Sequence, residues 1–286
     1  LMVDWIAACV TFLLCGLLYK YIDIIKPDVN WGSAGEAYRY LTAVQNLHKL
    51  EKIKKHIKTF RPSYLVLCGD PSHRDHLLRF TSYISDGSAI IAGNVIIGKF
   101  SDRVADHLEA RENKYMLDNK LKAFLDVVVA PSLILGCESL LQLSGMSQLR
   151  PNTVVMGYKK NWQHGSEESI NEYVQVVRAC VGMGHAMCIL RDVEELVSHE
   201  EPLGTIDVWW LVDDGGLTIL LPFLLSKHAV WSKCHLRLIT VAKGKRLVEE
   251  QLRMTRLLAK FRINAELVVV EHGQEEPQPR TMQEFE

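Results

Sequence analysis

The chain has 286 residues, of which 48% are hydrophobic, and its 33 lysines and arginines nearly balance its 34 aspartates and glutamates. This length and apolar content suffice for one large or two ordinary domain cores. The balanced charge, with no basic patch interleaved with aromatic residues, argues against nucleic acid as a partner.

The first 25 residues predict a membrane-spanning helix. No charged residue occurs between Trp5 and Leu18, and Asp4 and Lys20 bracket the run. A span needs roughly 20 apolar residues, and aromatic rings at both ends suit the interface between lipid and water. Basic residues follow the run, which places the remainder in the cytosol. A buried core helix is the alternative, whereas a signal peptide would need a basic start and a cleavage site that this segment lacks.

Residues 26–60 are predicted to form a connector with an amphipathic helix. The segment KPDVNWGS (26–33) has turn composition, and Asn30 or Ser33 can cap a helix start. Apolar residues then recur at helical spacing from Ala34 to Lys58. The basic end of this helix fits a solvated face, contact with acidic lipid headgroups, or packing against a second copy of the chain.

Residues 61–273 are predicted to form a cytosolic α/β domain. Short, mostly apolar β-branched runs alternate with helical patterns, as in a mostly parallel, doubly wound sheet. The strands fall into two groups, which predicts lobes at about 61–190 and 204–273, on either side of a loop from Asp192 to Leu203. The predicted strands are Tyr64–Cys68, Ala89–Ile97, Phe124–Ala130, Thr153–Gly157, Ala186–Leu190, Asp207–Val212, Leu236–Val241 and Glu266–Glu271. The predicted helices are His73–Ser85, Asp102–Lys122, Ser132–Ser144, Glu167–Val181, Leu217–His228 and Lys245–Phe261. Residues 274–286 are polar and aperiodic, which predicts a disordered tail.

Two loops at predicted strand ends are candidates for nucleotide contacts. Ligands of open α/β sheets bind beyond the carboxyl ends of the strands, and a helix N-terminus favours anions. The candidate residues are Gly69, Asp70, Pro71 and Ser72 after the first strand, and Lys159 and Lys160 after a later one. The first turn lacks the dinucleotide glycine fingerprint and the P-loop lysine, so an ordinary turn with Ser72 as helix cap is the commoner explanation. Solvation at the surface is the commoner explanation for the two lysines.

No other motif predicts chemistry. Asp213 and Asp214 follow a strand and could ligate a metal or act as acid and base, but helix capping is the favoured interpretation, with an anion-excluding or docking role as the alternative. His73, Asp75 and His76 are predicted to share the first turns of one helix, where they do not all face one another. The seven cysteines form no CxxC pair, and several lie inside apolar runs, which predicts reduced, buried thiols. We therefore predict a non-enzymatic domain with no catalytic residue and no metal site, attached to a membrane-spanning helix.

Six motifs, spread over nearly the whole chain, carry a resemblance to a known family. They are W-x-A-A with the apolar span, KPDVNWGS (26–33), FRPSYLVLCGDP (60–71), LRPNTVVMGYKKNW (149–162), GTIDVWWLVDDGGLTILLPFLL (204–225) and LLAKFRINAELVVV (257–270). In this order they resemble the C-terminal part of the cation–chloride cotransporters, solute carrier family 12. The strings DVNWGS, DDGGLT and KKNW are most similar to the sodium-dependent Na-K-Cl and Na-Cl branch.

The resemblance implies an electroneutral symporter of sodium and/or potassium with chloride, in the plasma membrane, usually dimeric and regulated by kinases. It implies that the soluble part is a regulatory domain with dimer contacts and, in some relatives, bound ATP, with no required cofactor. The spans that build the ion sites are expected to lie outside this sequence. The loop between Asp192 and Leu203 is shorter than in vertebrate relatives. A nucleotide-sensing module without transport chemistry of its own is the alternative function, and an enzyme with a metal at Asp213 and Asp214 is a third.

Overall fold

The computed structural model describes residues 5–25, 33–54, 56, 60–99, 102–198, 202–211, 216–242 and 246–271. These residues belong to two compact units, Leu1–Lys54 and Lys55–Glu286. The tail at 274–286 and the acidic pair Asp213 and Asp214 lie outside the described residues, so the expectations for both stay predictions.

The first unit begins with helix α1, Trp5–Ile25, in which none of the 21 residues is buried. A helix rises about 1.5 Å per residue, so α1 is about 31 Å long, close to the thickness of the hydrocarbon core of a bilayer. Among the described residues it is the one helix long and apolar enough to cross a membrane. The predicted apolar helix at the start of the chain is therefore confirmed.

Helix α2, Ala34–Glu51, begins with a capping box. The Glu36 N–H donates to Ser33 Oγ at 3.1 Å, and the Ser33 N–H donates to Glu36 Oε2 at 3.4 Å, so two free backbone donors are satisfied. Of the two predicted caps, Ser33 is therefore correct. The predicted end at Lys58 is wrong, since the helix ends at Glu51. In the sequence, Lys52, Lys54, Lys55 and Lys58 follow at spacings of three and four residues, where like charges oppose further helical turns.

The second unit contains a five-stranded sheet in which every pairing is parallel. Its strands are β1 (Tyr64–Leu67), β2 (Ile90–Ile97), β3 (Phe124–Ala130), β4 (Thr153–Gly157) and β5 (Ala186–Leu190). The spatial order is β3-β2-β1-β4-β5, so the chain moves outward on one side of β1 and then crosses to the other. The direction of winding thus reverses between β1 and β4, as the predicted doubly wound sheet requires.

Helices cover both faces of this sheet. They are α3 (Asp75–Ser85), α4 (Asp102–Asp118), α5 (Leu133–Leu143) and α6 (Glu167–Gly182). Tyr64 and Val66 of β1 belong to the core under α3 and α4, whereas Leu65 belongs to the core under α5 and α6. All three side chains are fully buried, which explains why β1 is an unbroken apolar run in the sequence. Each such burial stabilises the fold by about 1.5–3 kcal/mol.

A second, three-stranded parallel sheet forms the other predicted lobe. It consists of β6 (Thr205–Trp210), β7 (His235–Ala242) and β8 (Glu266–Glu271), in that order. Helices α8 (Leu217–Lys227) and α9 (Arg246–Phe261) pack on it through Ile219, Met254 and Leu258. The predicted α/β class with parallel sheets is confirmed, and the division into lobes stays a prediction.

The two sheets are joined by packing that the sequence pattern did not predict. Within the loop expected between Asp192 and Leu203, the structure has a short helix, α7 (Val193–Ser198). Val193 is buried in the same core as Leu225 of α8, and that core also contains one face of the five-stranded sheet. Helix α8 therefore contributes to the cores of both sheets.

Hydrogen bonds of the Asn152 side chain connect the start of β4 to the segment before β1. Its Oδ1 accepts from the Ser63 N–H at 3.1 Å, and its Nδ2 donates to the Arg61 carbonyl at 3.0 Å. Thr153 Oγ1 also donates to Asn152 Oδ1, at 2.9 Å. One amide side chain thus connects two motifs that are 89 residues apart in the sequence.

Candidate functional site

A cavity of about 580 Å³ opens at the carboxyl ends of β1 and β4, where the strand order reverses. Open α/β sheets bind their ligands at this position, because the loops that follow the two strands diverge there and leave a crevice. Gly69, Lys159 and Lys160 all line it, so the structure brings the two predicted loops together. We refer to this cavity as the switch-point crevice.

The turn after β1 is shaped by Gly69 and Asp70. Gly69 has a φ of +66°, which favours glycine, and Asp70 Oδ1 accepts hydrogen bonds from the Ser72 N–H at 2.9 Å and from Ser72 Oγ at 2.6 Å. The prediction of Ser72 as helix cap is therefore wrong, because its hydroxyl is turned back to Asp70. Helix α3 begins at Asp75 with Arg74 at the N-cap position and no side-chain cap bond.

Both oxygens of the Asp70 carboxylate contact residues that do not line the crevice. Its Oδ2 lies 2.7 Å from Arg111 Nη2 of α4. Partial burial acts to raise the pKa of Asp70, but the hydrogen bonds from Ser72 and the Arg111 guanidinium outweigh it and hold that pKa below its ordinary value. Asp70, Pro71 and Ser72 are not among the lining residues, so of the first predicted loop only Gly69 reaches the crevice.

The loop after β4 supplies two cations. Lys159 Nζ donates to Ser169 Oγ of α6 at 2.5 Å. Lys160 Nζ donates to Glu194 Oε2 of α7 at 2.9 Å and lies 3.4 Å from Asp192 Oδ1. The hydrogen bond to Glu194 raises the pKa of Lys160, so this ammonium group stays charged at neutral pH.

The crevice offers both apolar and charged surface to a ligand. Its floor is formed by apolar side chains of the strands and of α5, among them Leu67, Val95 and Met156. Three cations and three carboxylates line it, namely Arg74, Lys159, Lys160, Glu172, Asp192 and Glu194. An apolar floor suits a planar ring, and lysine and arginine side chains suit phosphate groups.

His73 and His76 lie close to different acidic residues. His73 lies in the turn before α3, not in the helix, and its Nδ1 is 3.5 Å from Asp70 Oδ2. His76 points elsewhere, with Nε2 3.6 Å from Glu194 Oε1. Within the described ranges, no group of three potential ligands from His, Cys, Asp and Glu could hold a metal ion.

A buried carboxyl group lies beneath the turn after β1. Glu112 of α4 is 1% exposed, and its Oε1 accepts from Asn94 Nδ2 of β2 at 2.8 Å. Its Oε2 has no hydrogen-bond partner among the described residues. Burial, reinforced by the Asp70 charge, raises the pKa of Glu112, although the bond from Asn94 opposes the shift.

Sequence reasoning missed Arg74, Asp192 and Glu194. Arg74 directly follows the predicted turn, so its position beside the candidate loop is visible in the sequence. Nothing local marks Asp192 or Glu194, which reach the crevice because β5 is the neighbour of β4 and ends beside it. The prediction of buried thiols agrees with the structure at Cys68, Cys137 and Cys180, whereas Cys188 and Cys234 are half-buried and Cys9 and Cys15 are exposed. Burial raises the pKa of the Cys68 and Cys137 thiols to about 12.

Comparison with known proteins identifies the family. The sequence profile of solute carrier family 12 matches residues 74–200 and 195–286. The chain therefore belongs to solute carrier family 12, as its motifs predict. Because its relatives are solute carriers, the prediction that it is not an enzyme is also confirmed.

Individual relatives match almost the whole chain. Solute carrier family 12 member 3 of Mus musculus is 32% identical over 100% of this chain and 31% of its own length. Member 1 of Homo sapiens is 30% identical over 91% of the chain and 32% of its own length. Member 2 of Mus musculus is 28% identical over 94% of the chain and 30% of its own length. The chain thus spans about a third of the length of these curated relatives.

A solved structure shares the fold. It is the crystal structure of the cytoplasmic domain of a prokaryotic cation chloride cotransporter, with a TM-score of 0.53 and 14% sequence identity. The match covers 77% of this chain and 83% of that domain. The α/β architecture described above is therefore the architecture of a cytoplasmic domain in that protein.

Proposed function

We propose that the chain is the C-terminal portion of an electroneutral cation–chloride symporter of the plasma membrane. In this proposal α1 is the last transmembrane helix, α2 belongs to the connector, and the second unit is a cytosolic domain that regulates transport. The observation that carries the proposal is an apolar helix of span length followed by an α/β unit with the fold of a cotransporter cytoplasmic domain. Residues after about 25 then lie in the cytosol, where kinases can act on them.

We further propose that the parent transporter carries sodium, potassium or both together with chloride, and belongs to the sodium-dependent branch. The support is the similarity of the strings DVNWGS, DDGGLT and KKNW to that branch. The transport function is tested with the complete transporter that contains this segment, expressed in cells with low background flux. Rubidium uptake is measured with chloride present or replaced, and with external sodium present or replaced.

Each result of this flux experiment has a defined meaning. Uptake that requires both chloride and sodium supports a Na-K-Cl symporter. Uptake that requires chloride but persists without sodium assigns the protein to the K-Cl branch instead. If rubidium uptake does not depend on chloride, labelled sodium uptake tests a Na-Cl symporter, and its failure to depend on chloride contradicts the symport proposal.

We also propose that the chain forms a homodimer through α2 and the second unit. Helix α2 exposes Tyr38, Tyr40 and Leu41, which is apolar surface available to a second copy. Light scattering of the full chain in detergent, at tens of micromolar, gives the mass of the protein separately from that of the bound detergent. We expect twice the mass of one chain, and a clean monomer contradicts the proposal.

A second candidate function, sensing of a nucleotide such as ATP, is favoured by the switch-point crevice. It combines an apolar floor with Arg74, Lys159 and Lys160 at the position where open α/β sheets hold ligands. We propose that the phosphates lie near the two lysines and the turn at Gly69, with the base over the floor. ATP is then a regulatory ligand, and transport chemistry does not require it.

Calorimetric titration of the full chain in detergent with ATP tests this candidate. We expect a dissociation constant below the millimolar range and a loss of about tenfold in Lys159→Ala, since charge-assisted hydrogen bonds to phosphate are lost. Lys260→Ala, an exposed lysine at the end of α9, is the matched control and should bind as the unmodified chain does. Equal affinities in all three proteins contradict binding in the crevice.

A further inference from the structure

The entrance of the switch-point crevice is spanned by an ion-pair network that reaches from the loop after β4 to the start of α7. Lys160 Nζ contacts Glu194 at 2.9 Å and Asp192 at 3.4 Å. On the other side, His76 Nε2 of α3 lies 3.6 Å from the second oxygen of Glu194. Between Asp192 and Glu194, Val193 is buried in the core, so the backbone that carries both carboxylates is anchored.

The carboxylates of Asp192 and Glu194 neutralise the positive charge of Lys160, which would otherwise attract an anionic ligand. With the histidines neutral, the crevice lining has three positive and three negative side chains, so its formal charge is zero. Lys160 is the cation most fully compensated, because two carboxylates contact its ammonium group. A phosphate group can gain the charge of Lys160 only by replacing them.

The network is stable enough to form and weak enough to be displaced. The side chains of Lys160, Asp192 and Glu194 are 50%, 56% and 55% exposed, and ion pairs with this exposure are held only weakly in water. The hydrogen bond from Lys160 lowers the pKa of Glu194, so the carboxylate is ionised at neutral pH. Asp192 has a φ of +54°, a conformation that Asp and Asn tolerate better than most residues, which fixes a short carboxylate at this position.

We infer that Asp192 and Glu194 are specificity-determining residues of the switch-point crevice: they occupy Lys160 when no ligand is present, and they lower the affinity for a ligand in proportion to its negative charge. This inference rests on the proposed nucleotide function. A triphosphate has to displace the carboxylates before it can contact Lys160, whereas a nucleoside carries no charge and is not affected by them. A nucleoside monophosphate, with fewer charges, is affected less than a triphosphate.

The inference is tested by titrating the full chain in detergent with ATP, AMP and adenosine. We expect Glu194→Gln to raise the affinity for ATP about fivefold, to raise that for AMP less, and to leave that for adenosine unchanged, because removing one negative charge helps a ligand in proportion to its own charge. Asp192→Asn should act in the same direction, and asparagine suits its backbone conformation. Glu249→Gln, which removes an exposed charge from the first turn of α9, should leave all three affinities unchanged.

The possible results distinguish a failure of this inference from a failure of the nucleotide proposal. If ATP binds the unmodified chain and Glu194→Gln binds it equally or more weakly, the charge-selection role is overturned and the nucleotide site remains. An equal gain for adenosine also overturns it, since a wider entrance would then explain the effect. If neither protein binds ATP, the nucleotide proposal fails, and the selection role fails with it.

Discussion

Replacing Gly136 with alanine tests how tightly α5 is packed on the floor of the switch-point crevice. In the interior of most helices this change is stabilising by about 0.5–1 kcal/mol, because alanine loses less backbone entropy on folding. At position 136 a Cβ atom would lie 2.2 Å from Val95 Cγ1, 3.0 Å from Val95 Cγ2 and 3.2 Å from Val95 Cβ. We therefore expect the sign to reverse.

The magnitude follows from the contact distances. Carbon atoms reach optimal separation at about 3.5–4.0 Å, so α5 and β2 would have to separate by more than an ångström to relieve the closest contact. Rotation of Val95 cannot relieve all three contacts, because one involves its Cβ and because β-branched side chains are restricted at χ1. Overpacking costs about 1–3 kcal/mol, and the propensity gain of alanine offsets part of it, which leaves a net destabilisation of about 1–2 kcal/mol.

Urea unfolding of the full chain in detergent, followed by circular dichroism, measures the effect. A loss of this size lowers the midpoint by about 0.3–1 M. Gly182→Ala is the matched control: it lies in α6, nothing lies within 4 Å of the added atom, and its stability should be equal or higher. Adding Val95→Ala to Gly136→Ala should recover part of the loss. A Gly136→Ala protein as stable as Gly182→Ala refutes the close packing of α5 on β2.

Two further substitutions test the polar interior of the second unit. Asn152→Ala should destabilise it by about 1–3 kcal/mol in the same urea assay, because the backbone groups of Ser63 and Arg61 lose their partner; an unchanged midpoint contradicts that role. Glu112→Gln should raise stability by about 1 kcal/mol at pH 7.5 but not at pH 4.5, since glutamine is neutral at both pH values whereas burial disfavours the charged form of Glu112. The sign follows from the raised pKa: the neutral Glu112 stabilises the fold at low pH, and that contribution is lost as pH rises from the ordinary value of 4.5 through the native pKa. Urea midpoints at the two pH values measure this, and a difference independent of pH contradicts it.

Local pattern in the sequence was enough to predict most of the secondary structure. Each predicted strand is present within two residues at either end, and Phe124–Ala130, Thr153–Gly157, Ala186–Leu190 and Glu266–Glu271 have the predicted bounds. Buried parallel strands are unbroken apolar runs, and the amphipathic helices between them have a different period, so the two signals are easily separated. The errors fall where a local signal competes with another contact, as at Ser72, whose hydroxyl bonds Asp70 and does not cap α3.

The candidate site could be predicted only in part. The two loops follow from a general rule about strand ends, which applies to each strand separately. The two loops meet because β1 and β4 are neighbours in the sheet, and no local sequence pattern predicts strand order.

By itself, the sequence determined the family, the apolar first helix, the alternation of strands and helices, and the two loops that carry the candidate contacts. These are properties of short segments, fixed by periodicity, capping and long specific motifs. Only the tertiary structure decided that the carboxylates after β5 neutralise Lys160, that Glu112 is buried beneath the turn at Gly69, and that α8 joins two cores. The physical reason is that these contacts join residues far apart in sequence, and their charge and burial depend on which strands become neighbours.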